Sequence, residues 1–363
     1  MKPPGRLSDF AVRLRRLIHA STLPDTGFNS LALELFRLQF QRNEPYRRIC
    51  EARAVSPEDA ADWSRIPAAP AAAFKELELS CLPPGERTAV FYSSGTTGEQ
   101  RSRHFHNDQS LALYRASLTA WFEANVMDCE CRMDDWDLAI LAPAPEQAPH
   151  SSLVHMFEAV RHRLGSPASA FLGQAAAEGA WGLDLEAATA ALQSSVQSAR
   201  PLLLLGTAFM FVRLLDHLAK EGLQLELLPG SRAMETGGYK GRSRALPANQ
   251  LRALITRRLG IPPARIIREY GMSELSSQAY AGPPGSARPF RFPAWARVQI
   301  ISPETGQEVS EGQTGLIRVF DLANVFSVLA IQTEDLAVRR ADGFELLGRA
   351  ALAEPRGCSL MAR

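Results

Sequence analysis

The chain has 363 residues, 46% hydrophobic and 22% charged, with a formal net charge of +1. That composition fits a soluble globular protein with a sizeable core, and the near-neutral balance excludes bulk attraction to nucleic acid or an anionic membrane. No stretch approaches the roughly 20 apolar residues of a membrane span, and the basic N-terminus lacks the apolar core of a secretion signal, which points to the cytoplasm.

Residues 6–20 and 28–42 carry apolar residues at helical spacing (Leu31, Leu35 and Leu38 on one face) and predict two amphipathic helices. Ser56-Pro57-Glu58-Asp59 sets a capping serine before a proline and predicts a third, short helix. A strand is expected over 88–92, a helix over 109–126 and a buried strand over 137–142. Alternation follows: helix 152–164, strand 168–172, helix 183–198, strand 201–205, helix 207–220, strand 223–228, helix 247–259, strand 265–270. This order predicts an α/β fold with a mainly parallel sheet, whose ligands sit at the carboxyl ends of strands. The loop after 88–92 and the end of 265–270 are therefore expected to face one cleft. From about Trp295 the rhythm becomes short strands at 298–301, 315–320, 326–332 and 344–347, split by glycine-bearing turns. The expected division is a helical region 1–84 packed on the main body, an α/β region 85–294 and a β-rich region 295–363.

Four hydroxyl residues, Ser93, Ser94, Thr96 and Thr97, interleave with Gly95 and Gly98, and Arg101 and Arg103 follow. Glycines let backbone N–H groups turn inward and hydroxyls add donors, so the loop suits phosphate oxygens; no Gly-Lys-Ser/Thr closes it as in a Walker loop. The alternative is a polar hairpin turn. Three later stretches are dense in polar groups: residues 236–242 with Gly237, Gly238 and Lys240; residues 268–274 with Tyr270, Gly271, Ser273 and Glu274; and Asp335 with Arg349. Together they offer a phosphate cradle, an aromatic plane and carboxylates for a magnesium ion and ribose, although singly Tyr270 reads as well as a core residue. Five scattered cysteines are expected to be reduced, and the Cys129/Cys131 pair is read as structural.

These motifs, in this order, resemble the adenylate-forming (acyl-CoA synthetase-like) superfamily. Residues 235–243, 269–275 and 347–361 look specifically like its acyl-protein synthetase (LuxE) branch. The resemblance implies the superfamily's large-domain fold, mainly parallel sheets flanked by helices with a small β-rich C-terminal part. It implies ATP and Mg2+ as cofactors. Ser93 to Gly98 (Ser93, Ser94, Gly95, Thr96, Thr97, Gly98) would grip the phosphates, and Tyr270, followed by Gly271, would stack on adenine beside Gly237 and Gly238. Ser273 would meet the α-phosphate, Glu274 the metal, and Asp335 with Arg349 the ribose. The chain departs from the pattern in having Arg101 where most members have lysine. It also lacks, on this reading, the usual mobile C-terminal domain with its catalytic lysine. Lys240 is the candidate substitute, or equally a solvated loop charge.

The implied activity is ATP-dependent activation of a carboxylic acid, a fatty acid above all, to acyl-AMP, then transfer to a protein thiol. The branch is acylated near its C-terminus, which singles out Cys358; the alternative is an incidental terminal cysteine. An acyl-reductase or acyl-carrier partner is implied in the same way. His150 is a candidate for the substrate carboxylate, or a satisfied loop histidine, and His104 and His106 carry no assigned role. Two alternatives stay open: adenylation of a small or aryl acid for coenzyme A or a carrier protein, and a non-catalytic nucleotide binder.

Overall fold

Three helices open the chain, α1 (Leu7–His19), α2 (Asp25–Arg42) and α3 (Glu44–Glu51), followed by the short strand β1 (Ala69–Pro70) and the single turn α4 (Ala73–Glu76). The structure, a computed structural model, describes residues 6–20, 25–93, 100–127, 136–175, 181–198, 200–237, 246–282 and 288–350. The helix expected at 56–59 is a single turn instead, closed by the Asp59 N–H on the Ser56 carbonyl, with the Ser56 N–H and hydroxyl both on Asp59 Oδ2 (2.8 and 2.6 Å). The third helix, α3, lies earlier, started by Asn43, whose side chain accepts from the Tyr46 N–H.

A hairpin comes next, β2 (Ala89–Tyr92) paired antiparallel with β3 (Arg103–His106). It runs into α5 (Asp108–Val126), whose start is fixed by a reciprocal capping box between Asn107 and Ser110. After β4 (Asp137–Leu141) come α6 (Ser152–Leu164), β5 (Ala170–Phe171), a small hairpin of β6 (Gly173–Ala175) and β7 (Trp181–Leu183), and α7 (Leu185–Gln197). The run continues through β8 (Leu202–Thr207), α8 (Ala208–Lys220), β9 (Arg232–Thr236), α9 (Ala248–Leu259), β10 (Ile266–Tyr270) and β11 (Ala279–Ala281). Strands β11-β10-β9-β8-β4-β5 form one six-stranded sheet. It is parallel throughout except where β11 turns back on β10.

Alternate residues of these strands feed two cores. Leu202, Leu204, Ala233 and Ile266 pack under α7, α8 and α9, whereas Leu203, Leu205, Met234 and Ile267 pack under α5 and α6. Both faces are covered, which is why the strands read as continuous apolar runs. The strand expected at 223–228 joins no ladder. Leu225 and Leu227 instead donate to the carbonyls of Arg258 and Leu259 at the end of α9, and β9 takes the sheet position.

The second sheet is a meander of β12 (Ala296–Ile301), β13 (Thr314–Asp321), β14 (Ala330–Arg340) and β15 (Gly343–Arg349). Strand β1 joins it in parallel, Ala69 opposite Ile331. Its core is continuous with that of α1–α3: Phe28, Phe36, Tyr46 and Phe74 pack with Ile317, Phe320 and Ile331. Residues 326–329, expected to begin the 326–332 strand, belong instead to a buried loop, 322–329, between β13 and β14. Among the described residues no helix is long and apolar enough to cross a membrane.

Candidate active site

The carboxyl end of β10 leads through Gly271 into a buried turn carrying Ser273 and Glu274, 8% and 4% exposed. The Ser273 hydroxyl donates to Glu274 Oε2 at 3.0 Å. Two elements hold this turn. From the hairpin, His104 Nδ1 lies 2.9 Å from the Ser273 carbonyl. A carbonyl only accepts, so His104 carries its proton on Nδ1; burial pushes its pKa down to about 4, which keeps the ring neutral. From the 321–329 loop, Asn324 Nδ2 donates to the Glu274 carbonyl at 2.8 Å, and Asp321 accepts from the backbone N–H groups of Ser276, Ser277 and Ala323 and from the Ser277 hydroxyl. That loop is in turn clamped by Gln39 of α2, which donates to the carbonyls of Asn324 and Val325 and accepts from the Leu329 N–H.

On the other face of β10, the Tyr270 ring is 6% exposed, its edges against Phe290, Phe292 and Phe344. Its hydroxyl donates to Asp335 Oδ2 at 2.8 Å. Asp335 and Arg349 are register partners across β14 and β15, with Arg349 Nε 3.8 Å from Asp335 Oδ1. Burial raises the Asp335 pKa, and the Tyr270 hydroxyl and Arg349 charge pull it back. Burial first, then the charge of Asp335, holds the Tyr270 phenol well above its usual range, so Tyr270 remains a donor; Glu274 lies near enough to add to that shift. Five expected site residues, Tyr270, Ser273, Glu274, Asp335 and Arg349, thus fall at one end of β10.

Strand β9 ends beside them. Gly237 has φ +69, and nothing lies within 4 Å of where a Cβ would stand, so the left-handed backbone alone calls for glycine there. A Cβ on Gly271 would stand 2.4 Å from Glu269 Oε1. Glu269 accepts from the Thr236 hydroxyl, and burial raises its carboxyl pKa to about 7. Glu235, buried nearby, pairs with Arg268 at 3.0 Å.

The loop between β2 and β3 bridges a hairpin and leads into no helix. Ser93 and Ser102 close its base, the Ser102 N–H donating to Ser93 Oγ at 2.9 Å. Ser94, Gly95, Thr96, Thr97 and Gly98 lie outside the described residues, as do Gly238, Lys240, Cys358, Cys129 and Cys131. Beside the loop a hollow of about 340 Å³ is lined by Tyr92, Gln100, Arg101 and Arg103. Arg101 is exposed, and Arg103 lies 3.6 Å from Glu78. His150 is an exposed residue ahead of α6, with Nδ1 3.2 Å from the Val90 carbonyl and its ring edge against Tyr92. It therefore sits on the hairpin, apart from the Ser273–Glu274 turn in its contacts. No group of three or more His, Cys, Asp or Glu among the described residues could hold a metal by itself.

The supports Gln39, Asp321 and Asn324 were not anticipated from sequence. Their partners are mostly backbone groups, and only a buried acid and amide at the end of an apolar strand, Asp321 and Asn324, offered a signal.

The sequence profile described as acyl-protein synthetase, LuxE, matches residues 18–363, so the chain belongs to that family. No curated protein sequence matches it. Among solved structures it is similar to 2-hydroxyisobutyryl-CoA ligase in an open conformation with 2-HIB-AMP and CoA. That match has a TM-score of 0.66 at 14% identity, covering 90% of this chain and 69% of the ligase. The same ligase in its postadenylation state with 2-HIB-AMP gives a TM-score of 0.65 at 15% identity, covering 90% and 67%. At such identities the likeness shows a shared fold, that of an adenylate-forming ligase.

Proposed function

We propose that this member of the acyl-protein synthetase family couples a fatty acid to ATP and then passes the acyl group to a protein thiol, Cys358 first. The observation that carries the reading is the gathering of Tyr270, Asp335 and Arg349 beside the Ser273–Glu274 turn. An aromatic group, a carboxylate for sugar hydroxyls, a cation and a buried carboxylate are the parts a nucleotide requires.

In the first step a carboxylate oxygen of the acid attacks the α-phosphorus of ATP. The bond to the bridging oxygen breaks and pyrophosphate leaves. Ser93 and the loop to Gly98 hold the phosphates, Arg101 and Lys240 offset the charge that builds on them, and Ser273 steadies the α-phosphate. Asp335 and Arg349 hold the ribose, and Tyr270 with the Gly237–Gly238 backbone borders the base. Glu274 fits a magnesium ion: it is a buried carboxylate with one oxygen already oriented by Ser273, and Mg2+ usually takes one or two carboxylates plus phosphate oxygens and water. Bound there, the ion would supply charge neutralisation. In the second step the Cys358 thiolate attacks the acyl carbonyl, the bond to AMP breaks and AMP departs. An acyl-reductase or carrier protein is the onward acceptor on this reading.

The test is intact-mass analysis after incubation with ATP, magnesium and fatty acids of graded length. A hydroxylamine-labile acyl adduct that Cys358→Ala abolishes is expected. An adduct that survives that change sinks the self-acylation step, and absence of acid-dependent pyrophosphate exchange sinks the adenylation step as well.

A further inference from the structure

Beneath β10, on the face turned away from Tyr270, lies a second set of polar side chains that the steps above do not use. Glu269 and Tyr280 are register partners across β10 and β11, so their side chains share one face of the sheet, and Gln278, two residues before Tyr280, shares it too. Tyr114 of α5 covers them: Gln278 Nε2 points to its hydroxyl at 3.4 Å, and that hydroxyl donates to the Ser152 carbonyl. The Tyr114 ring also meets His106 of β3 at 6.3 Å and His155 of α6 at 5.6 Å, with Phe91 against all three rings.

Four buried atoms of this cluster have no partner among the described residues: His106 Nε2, His155 Nε2, Gln278 Oε1 and the Tyr280 hydroxyl. Native proteins seldom leave such atoms unmatched, at a cost of about 1–3 kcal/mol each. Their chemistry can be read. His106 Nδ1 shares a hydrogen bond with the Ser110 hydroxyl at 3.1 Å in which either group can donate, because the Asn107 carbonyl that the hydroxyl also faces already accepts from the Leu111 N–H. The His106 Nε2, like that of His155, accepts in one neutral tautomer and donates in the other. Gln278, with its amide aimed at Tyr114, turns in a carbonyl oxygen, and Tyr280 adds a hydroxyl that both donates and accepts. Burial keeps His106 and His155 uncharged. A carbonyl oxygen, an amphoteric hydroxyl and two neutral imidazole nitrogens that accept or donate, with Phe91 against both imidazoles, match an uncharged O–H, itself donor and acceptor, on a carbon chain. The cluster adjoins the candidate active site through Gly271, where a Cβ would stand 3.4 Å from Gln278 Cγ.

We infer that this cluster binds a hydroxyl group carried on the chain of the acid substrate, making the acid a hydroxylated one rather than a plain saturated chain. The inference rests on the adenylation reading for its link to catalysis, but binding of the acid alone tests it separately.

The experiment compares a fatty acid with its 2-hydroxy, 3-hydroxy and 3-amino derivatives of equal length, by melting-temperature shift without ATP and by pyrophosphate exchange. A hydroxylated acid is expected to stabilise the protein more than the plain acid and to exchange with at least ~10-fold higher kcat/KM. In Tyr280→Phe and Gln278→Met the ratio between the two acids falls ~10-fold or more; unliganded Tyr280→Phe melts no lower than the parent, since it loses only an unmatched polar atom, whereas Gln278→Met also gives up its bond to the Tyr114 hydroxyl. Ser195→Ala, which removes an unmatched buried hydroxyl on α7, leaves the ratio unchanged. Equal treatment of plain and hydroxylated acids, preference for the amino acid, or a ratio untouched by Tyr280→Phe overturns the inference. Hydroxy-acid binding lost in Tyr280→Phe, with no exchange for any acid, upholds it and removes the adenylation reading instead.

Discussion

Tyr270 donates its hydroxyl to Asp335 Oδ2 over 2.8 Å, tying together two strands of different sheets, 65 residues apart in sequence. In Tyr270→Phe the carboxylate loses that donor, and burial then holds its pKa higher still. Hydrogen bonds to charged groups contribute about 1.5–3 kcal/mol, so the KM for ATP in pyrophosphate exchange is expected to rise ~10-fold or more. An unchanged KM would remove Asp335 from the nucleotide site.

Asp321 accepts four hydrogen bonds, three from backbone N–H groups that have no solvent to turn to. Asp321→Ala strands those donors, and a loss of about 3–5 kcal/mol in unfolding free energy is expected from denaturant titration. Asn324→Ala frees the Glu274 and Val328 carbonyls and the Ser276 hydroxyl, and should raise the magnesium concentration needed for half-maximal exchange as well as lower stability.

Glu269 sets a pH dependence. Its native pKa of about 7 exceeds the ordinary carboxyl value because burial disfavours the charge. Between about pH 4.5 and 7 the native state keeps a proton that the unfolded chain has released, so this group's contribution to stability falls as pH rises through that window. Glu269→Gln, which cannot ionise, should match the parent near pH 4.5 and exceed it by on the order of 3 kcal/mol at pH 8. Parallel stability curves for the two proteins across that range would refute the assignment.

Arg101 borders the hollow beside the 93–102 loop and is exposed. A solvated surface charge is worth less than about 1 kcal/mol, so Arg101→Ala would then change little. If it covers phosphate charge as proposed, the exchange rate falls ~10-fold or more with melting temperature unchanged.

Continuous apolar runs made the central sheet and its flanking helices legible, because both faces of β4 and β8 are covered. Strand β9 was hidden for the opposite reason. Its Arg232 and Glu235 read as surface residues, yet Arg232 donates to the Val126 carbonyl over the Trp136 ring, and Glu235 is paired with Arg268. The neighbouring Leu223–Leu228 segment, with better alternation, is drawn off by the end of α9. At the candidate site, polar density in the sequence singled out Tyr270, Ser273, Glu274, Asp335 and Arg349, which the fold gathers at one end of β10. It did not reveal that Glu269 and Tyr280 turn to the opposite face, since that depends on a register between strands.

Gln39 finds its partners at Asn324 and Leu329, 285 and 290 residues further along the chain. Helix α2 leaves the ribosome well before these partners do, and contacts this distant in sequence form late. The Gln39 side chain must therefore wait unmatched until residues 324–329 have been made. Core closure and the setting of the Ser273–Glu274 turn become one event. A nascent chain stopped short of residue 324 would carry Ser273 and Glu274 but lack the clamp that fixes them.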